Sequence, residues 1–434
     1  MNDFLSKNNF LTLKDLHPTT QKLILSRTFR SIGQGALVVD MTLYLDALGW
    51  KAFHIGWVLS VAGLFGALLS LGIGVTSDRL KRKPFLIVYE SIIFLCSLAA
   101  LLTAHVLILT LVIIIAGFGQ GAGGAAGPFS PAEQAWLAEQ VAPAKRGRVY
   151  SLNAAFGFFG MGIGALLAMI PAILHVLATG SKLSAPVDAA AYRPLFIVVM
   201  MATLANLWLI TRAKEQYNGA KEVRVLKKDA VEMKIRRQEN KMLTGLAILN
   251  SFNGLAIGLT SPLISYWFLL KFDKGPAAIA PMMAATFFIT GISSVYTGRI
   301  SEKIGIVKSV VQMRLVGLFL MILLPLAPFY WLASLIYILR SAFNRGTAGN
   351  RQALTIGLVR EKRRGFATSL NSVSMQVTRS AGPGIAGLLF SAGMLEFPFF
   401  ASAFLQGIYL VLYGRFFRNQ NMPGQETKEV PKVN

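Results

Sequence analysis

The chain has 434 residues, 54% hydrophobic and 15% charged, with a mean hydropathy of +0.55. A soluble domain carries about 25% charged residues, so this composition excludes an ordinary soluble fold. Apolar runs of helix-spanning length specify an all-α polytopic membrane protein rather than a barrel. The formal charge of +23 would suit a nucleic-acid binder, but most Lys and Arg fall between alternate spans, which is a topology signal; no nucleic-acid partner is expected.

The first 21 residues are polar and mixed, without a cleavable signal pattern. Apolar periodicity then predicts twelve helices, at 22–48, 52–76, 84–104, 106–139, 147–174, 193–212, 242–272, 276–298, 306–327, 329–358, 364–392 and 395–417. They group as a cytoplasmic segment 1–21, a six-helix bundle 22–212, a basic linker 213–241, a second six-helix bundle 242–417 and a tail 418–434. Both termini are expected in the cytoplasm, because that orientation puts the basic excess inside. In the linker, Val223, Leu226, Ala230 and Met233 recur at helical spacing, which suits a short helix lying on anionic lipid headgroups. The single cysteine, Cys96, lies in an apolar run and reads as a small core hydrophobe.

The two halves repeat. Arg146-Gly147-Arg148-Val149-Tyr150-Ser151-Leu152-Asn153 parallels Arg364-Gly365-Phe366-Ala367-Thr368-Ser369-Leu370-Asn371, and the same offset takes Gln134 to Gln352 and Gly164 to Gly382. A basic loop, Gly74-Val75-Thr76-Ser77-Asp78-Arg79-Leu80-Lys81-Arg82-Lys83-Pro84, has a degenerate copy at Gly298-Arg299-Ile300-Ser301-Glu302-Lys303. Two six-helix repeats of like topology suit a carrier whose halves rock about a site near the membrane midplane.

The first loop resembles the G-x-x-x-D-R-x-G-R-[RK] connection between helices 2 and 3 of the major facilitator superfamily: Gly74, Asp78, Arg79, Arg82 and Lys83 fall in place, and the second glycine is lost. The resemblance implies a twelve-helix secondary transporter in the cytoplasmic membrane, working as a monomer among membrane lipids. It also implies a latch in which Asp78, Arg79, Arg82, Glu302 and Lys303 hold the inner face shut; the plain alternative is a turn with positive-inside charges. The chain is also similar to a poorly characterised group of bacterial and archaeal permeases, through Arg27 to Arg30, Gly33-Gln34-Gly35, Tyr44-Leu45, Leu48-Gly49 and the Gly127–Gln134 stretch. The helix-4 run Gly117–Ala125 resembles the superfamily's R-x-x-Q-G-x-G-x-A, keeping Gln120 but replacing the arginine with Gly117. That departure puts the usual proton coupling in doubt. The antiporter pattern is half present at Gly160–Ala168 and better kept at Gly382–Gly387; close helix packing explains such glycines equally well.

Ionisable groups within spans are costly and therefore informative. Arg27, Arg30 and Gln34 share one face of the first helix, with Arg27 near enough to the surface to snorkel and Arg30 deeper, toward a cavity. Asp40 is the candidate for a proton-exchanging carboxylate; the alternative is a solvated rim charge. In the second half Arg340, Arg345 and Arg379 have no acid beside them in sequence. They suit an anionic substrate group, because the guanidinium fork matches carboxylate and phosphate; the alternative is that they bond backbone carbonyls or latch to cytoplasmic acids such as Glu302. Gln120, Asn250, Asn253 and Gln376 are candidate cavity polars or interhelical hydrogen bonds. No phosphate-binding loop, metal-ligand cluster or catalytic triad is present, and the four histidines are scattered; no enzyme, cofactor or ATP-driven pump is expected. The leading expectation is proton-coupled efflux of a small organic solute, with Asp40 exchanging the proton. The alternative is uptake or exchange of an organic anion by symport or antiport, and a third class is a non-transporting membrane sensor or enzyme.

Overall fold

In the computed structural model, residues 13, 15–77, 82–120, 130–141, 146–183, 185–215, 230–357 and 364–418 are described. All regular elements among them are helical. The first half comprises α1 (Pro18–Ala47), α2 (Ala52–Ser77), α3 (Arg82–Leu102), α4 (Val106–Ala116), α5 (Ser130–Glu139), α6 (Arg146–Leu167), α7 (Ile170–Thr179), α8 (Ala189–Tyr192) and α9 (Pro194–Arg212). The second comprises α10 (Ala230–Thr260), α11 (Ile264–Phe272), α12 (Pro276–Ile304), α13 (Ile306–Leu323), α14 (Tyr330–Arg345), α15 (Ala348–Gly357), α16 (Arg364–Ser391) and α17 (Phe397–Arg418). Eight helical stretches of the described residues are long and apolar enough to cross a membrane. Large apolar side chains such as Leu177, Phe319 and Phe404 stand exposed on the outer surface, where lipid rather than water is the compatible solvent.

Several predicted helices are two pieces, and each break has a local cause. The helix expected over 106–139 stops at Gly117, whose left-handed φ of 69° caps α4 through its N–H to Ile113. Gly119 repeats the conformation at φ 81°, which glycine adopts at no steric cost. The glycine-rich stretch 121–129, with the expected Gly127–Gln134 motif up to Phe129, lies outside the described residues. The helix expected over 242–272 divides between α10 and α11 at Pro262, which has no N–H to donate and clashes with the preceding turn. The helices over 147–174 and 329–358 divide at 168–169 and 346–347. Conversely, α10 begins at Ala230, twelve residues before the expected 242. Glu232, Lys234, Arg236, Arg237, Gln238 and Glu239 are good helix formers, so the helix continues past the apolar layer. Val223 and Leu226 lie outside the described residues.

Within each half, glycines bring two helices into backbone contact. A Cβ on Gly164 would strike the Ile32 carbonyl of α1, and a Cβ on Gly382 would strike the Gly258 backbone of α10. These are the positions that the internal repeat pairs, so the repeat extends to packing: α6 on α1 matches α16 on α10. Between the halves, α2 packs on α16 and α6 on α12. Gly162 faces Phe288 across that second seam, and the Gly384 N–H donates to Ser60 Oγ at 2.7 Å across the first.

Candidate functional site

A cavity of about 2380 Å³, bounding open solvent included, lies between the halves. Its walls include Arg27 of α1, Ala62 to Ser70 of α2, Tyr150 to Phe158 of α6, Leu246 to Thr260 of α10, Arg314 of α13, Arg340 to Arg345 of α14, Asn371 to Arg379 of α16, and Tyr409 and Tyr413 of α17. At the other end α1 meets α11: Tyr266 Oη donates to Asp46 Oδ1 at 3.0 Å, and Ser265 Oγ donates to the Val38 carbonyl at 3.5 Å. One end is therefore hollow and the other closed.

Six arginines line the cavity, Arg27, Arg314, Arg340, Arg345, Arg351 and Arg379, and no Asp or Glu is among the described lining residues. Four of them have only neutral described partners, or none. Arg345 Nη2 donates to Ser261 Oγ at 2.9 Å and to Tyr337 Oη at 3.2 Å; Ser261 is available because the chain unwinds at Pro262. Arg379 Nη2 donates to the Gln120 carbonyl at 2.8 Å, a carbonyl left without a helical partner where α4 ends. Arg314 Nη2 donates to Asn253 Oδ1 at 2.9 Å, and its guanidinium sits 4.6 Å from the centre of the Tyr409 ring. Arg340, 6% exposed, has its Nε buried without a hydrogen-bond partner, as do Arg314 Nε, Arg345 Nη1 and Arg379 Nε. The charges also act on one another: Arg345 lies within electrostatic reach of Arg340 and Arg379, and Arg314 of Arg340 and Arg351. Like charges confined in a space of reduced dielectric repel more strongly than they do in water. The cavity is thus a concentrated positive potential with unused donors.

The expected site residues separate into distinct settings. Gln34, Gln120, Asn250, Arg340, Arg345, Gln376 and Arg379 all line the cavity. Asn250 donates to Asn371 Oδ1 at 2.5 Å, and Asn371 and its repeat partner Asn153 line it from opposite halves. Asn253 is fully buried and acts on Arg314 rather than facing the space. Arg30 lines a smaller recess bounded by Gln34, Tyr89 and Gly117. There its Nε donates to Glu90 Oε1 at 2.6 Å and its Nη1 to Glu133 Oε2 at 2.5 Å. Two glutamates therefore neutralise Arg30 and the nearby Arg27, and the positive excess of the cavity belongs to the second half. Asp40 is 1% exposed, with neither carboxylate oxygen hydrogen-bonded, and lies outside the described cavity lining; it is not a solvated rim charge.

At the α2–α3 connection, Gly74 belongs to the last turns of α2, whereas Asp78 and Arg79 lie outside the described residues. The backbone N–H groups of Arg82 and Lys83 donate to the Glu215 carboxylate at 2.7 and 3.1 Å, satisfying donors that a helix start leaves open. Lys83 Nζ donates to the Thr211 and Ala213 carbonyls at 2.6 and 3.0 Å, tying this loop to the end of α9. The second copy, Gly298–Lys303, forms the end of α12; Lys303 is exposed, and the Glu302 side chain lies outside the described residues.

Sequence reasoning missed Glu90, Glu133, Arg314, Asn153 and Ser261. Glu90 and Arg314 carried a usable signal, each being an isolated charge well inside an apolar run. Ser261 was marked by the adjacent proline.

A family model described as the Major Facilitator Superfamily matches residues 23–245 and 246–433. Among curated proteins the chain is 24% identical, over 156 residues, to the uncharacterized MFS-type transporter YdeE of Escherichia coli (strain K12). That match takes in 36% of this chain and 38% of the relative's length. Among solved structures it is similar to a bacterial homolog of the human lysosomal transporter Spinster in an inward-facing, unoccupied conformation, at 15% identity and TM-score 0.66 over 92% of this chain and 96% of that one. It is also similar to the human organic anion transporter MFSD10, at 14% identity and TM-score 0.61 over 91% and 99% of the two chains. At these identities the likeness concerns the fold.

Proposed function

The chain belongs to the Major Facilitator Superfamily, and from that premise we propose that it is a secondary transporter that carries a small organic anion by alternating access. The observation that carries this reading is the cavity wall: six arginines and no acid among its described residues. Arginine presents a planar fork of donors to a carboxylate or phosphate, and four of these forks have unpartnered buried nitrogens. A lipophilic cation entering the same space would meet uncompensated repulsion. Uptake or exchange of an anion therefore fits better than export of a cationic drug. In this reading the closed α1–α11 end faces outward and the hollow end inward, in the cytoplasmic membrane with both termini inside; the basic excess of the loops on the hollow side supports it.

A thermal-shift screen of the purified full chain against anionic, neutral and lipophilic cationic metabolites tests the sign of the cargo, because a ligand that binds the folded state raises its apparent stability. Stabilisation confined to organic anions is the expected outcome; stabilisation confined to cations contradicts the proposal.

Proton coupling, with efflux as its direction, is a second reading. It is favoured by Asp40, a carboxylate buried with both oxygens unpartnered in the first half. In this reading Asp40 takes up and releases the coupling proton while the arginines hold the cargo. Replacing Asp40 with Asn in proteoliposomes under an imposed pH gradient is expected to abolish proton-driven flux and leave exchange intact. Undiminished proton-driven flux removes Asp40 from the mechanism.

A further inference from the structure

The positive charge of the cavity is asymmetric. In the first half Arg27 and Arg30 are matched by Glu90 and Glu133, and the groups turned to the cavity there include Gln34, Gln134 and Asn153. In the second half Arg314, Arg340, Arg345 and Arg379 stand on three helices, and the described groups that accept hydrogen bonds from them are neutral. Arg340 and Arg345 are five residues apart on α14, so their backbones are separated by about 7.5 Å along the helix axis. With Arg314 on α13 and Arg379 on α16, four positive charges from three helices meet this space, more than one carboxylate can match. A monoanion would leave most of the like charge uncompensated in a confined space, where the repulsion is weakly screened. Matching it requires negative charge at two or more separated points of one molecule.

Building on the anion reading above, we propose that the second half of the cavity holds a small organic molecule with at least two separated negative charges, a dicarboxylate or a phosphorylated acid, across Arg314, Arg340, Arg345 and Arg379. One anionic group sits between Arg340 and Arg314, and the other between Arg345 and Arg379. The second group also competes with the Gln120 carbonyl for Arg379, since an ionised acceptor makes a stronger bond to guanidinium than a neutral one. Occupancy thereby loosens a cross-half polar contact inside the cavity. The neutral groups of the first half then contact the uncharged body of the ligand.

The test is equilibrium binding to the purified full chain with probes matched except for charge: succinate against monomethyl succinate, and 3-phosphoglycerate against glycerate. At least one multivalent probe is expected to bind about tenfold or more tightly than its monovalent partner, a difference of about 1.4 kcal/mol. Arg340→Gln and Arg379→Gln are each expected to remove that preference. Arg340→Lys, which keeps the charge and loses the fork, is expected to retain part of it and to show that the loss is not one of folding. Equal affinity within both pairs overturns the multivalent site while leaving the anion reading standing. Binding of tetraphenylphosphonium in preference to every anionic probe overturns both. Absence of binding by succinate and 3-phosphoglycerate up to about 10 mM, weaker than the range of specific recognition, also overturns the proposal.

Discussion

Arg30 shows how much one charged side chain can conceal when only the sequence is known. Its depth in the first helix follows from residue spacing, but its partners lie 60 and 103 positions away, and no local pattern links them. The resulting cluster is buried, with side-chain exposures of 7%, 1% and 3% for Arg30, Glu90 and Glu133. Removing one member of such a cluster leaves a charge without its counterpart, at a cost of about 3–5 kcal/mol, whereas replacing all members with apolar residues is often neutral. Glu90→Gln is therefore expected to lower the thermal stability of the detergent-solubilised protein sharply. The fourfold change Arg27→Met, Arg30→Met, Glu90→Leu, Glu133→Leu, which also removes the second cation that Glu133 faces, is expected to recover most of it. A melting temperature unmoved by Glu90→Gln would show that the ion pair contributes nothing. The cavity arginines on α14 and α16 were legible as isolated charges in apolar runs, and Arg314 carried the same signal. What the sequence could not supply was their convergence, which depends on how three helices pack.

At the scale of elements, the membrane-length runs and the internal repeat were legible because hydropathy and spacing encode them directly. The breaks were not, since an apolar run reads the same whether one helix or two cross it. Yet the breaks build the site: the end of α4 frees the Gln120 carbonyl for Arg379, and the α10–α11 break turns Ser261 toward Arg345. The Gly164 and Gly382 contacts explain why the repeat preserves glycine at those positions. Gly382→Ala would drive a methyl group into the Gly258 backbone and is expected to destabilise by about 1–3 kcal/mol, the usual cost of overpacking. Gly414, in α17, has nothing within 4 Å of a built Cβ. Gly414→Ala is expected to be neutral or to stabilise by about 0.5–1 kcal/mol through helix propensity. Chemical denaturation of the two variants side by side checks the contrast, and equal effects would contradict the close-approach account.

For the whole molecule, the two halves enclose a space closed by α1 against α11 at one end and hollow at the other, and rocking of the halves must exchange the two. Cys96 is buried, so a Cys96→Ala background permits site-directed labelling. Ser372→Cys, on the cavity wall, is expected to react with a membrane-impermeant thiol reagent added from the side of the termini. Ser265→Cys, fully buried beneath the closed end, is expected to be protected in this state and to react only when turnover opens that end. Equal reactivity of both positions without substrate would contradict the one-sided cavity. The basic excess, which by itself could point to nucleic acid, is divided between the loops and an arginine-lined cavity.

Exchange of a metabolite extract into proteoliposomes containing the full chain, with the accumulated compounds identified by mass spectrometry, reads the charge of the cargo directly. Accumulation of organic anions by the wild type, lost in Arg340→Gln and Arg379→Gln, is the expected result. Accumulation of cationic or neutral compounds, or of anions undiminished in both variants, would contradict it.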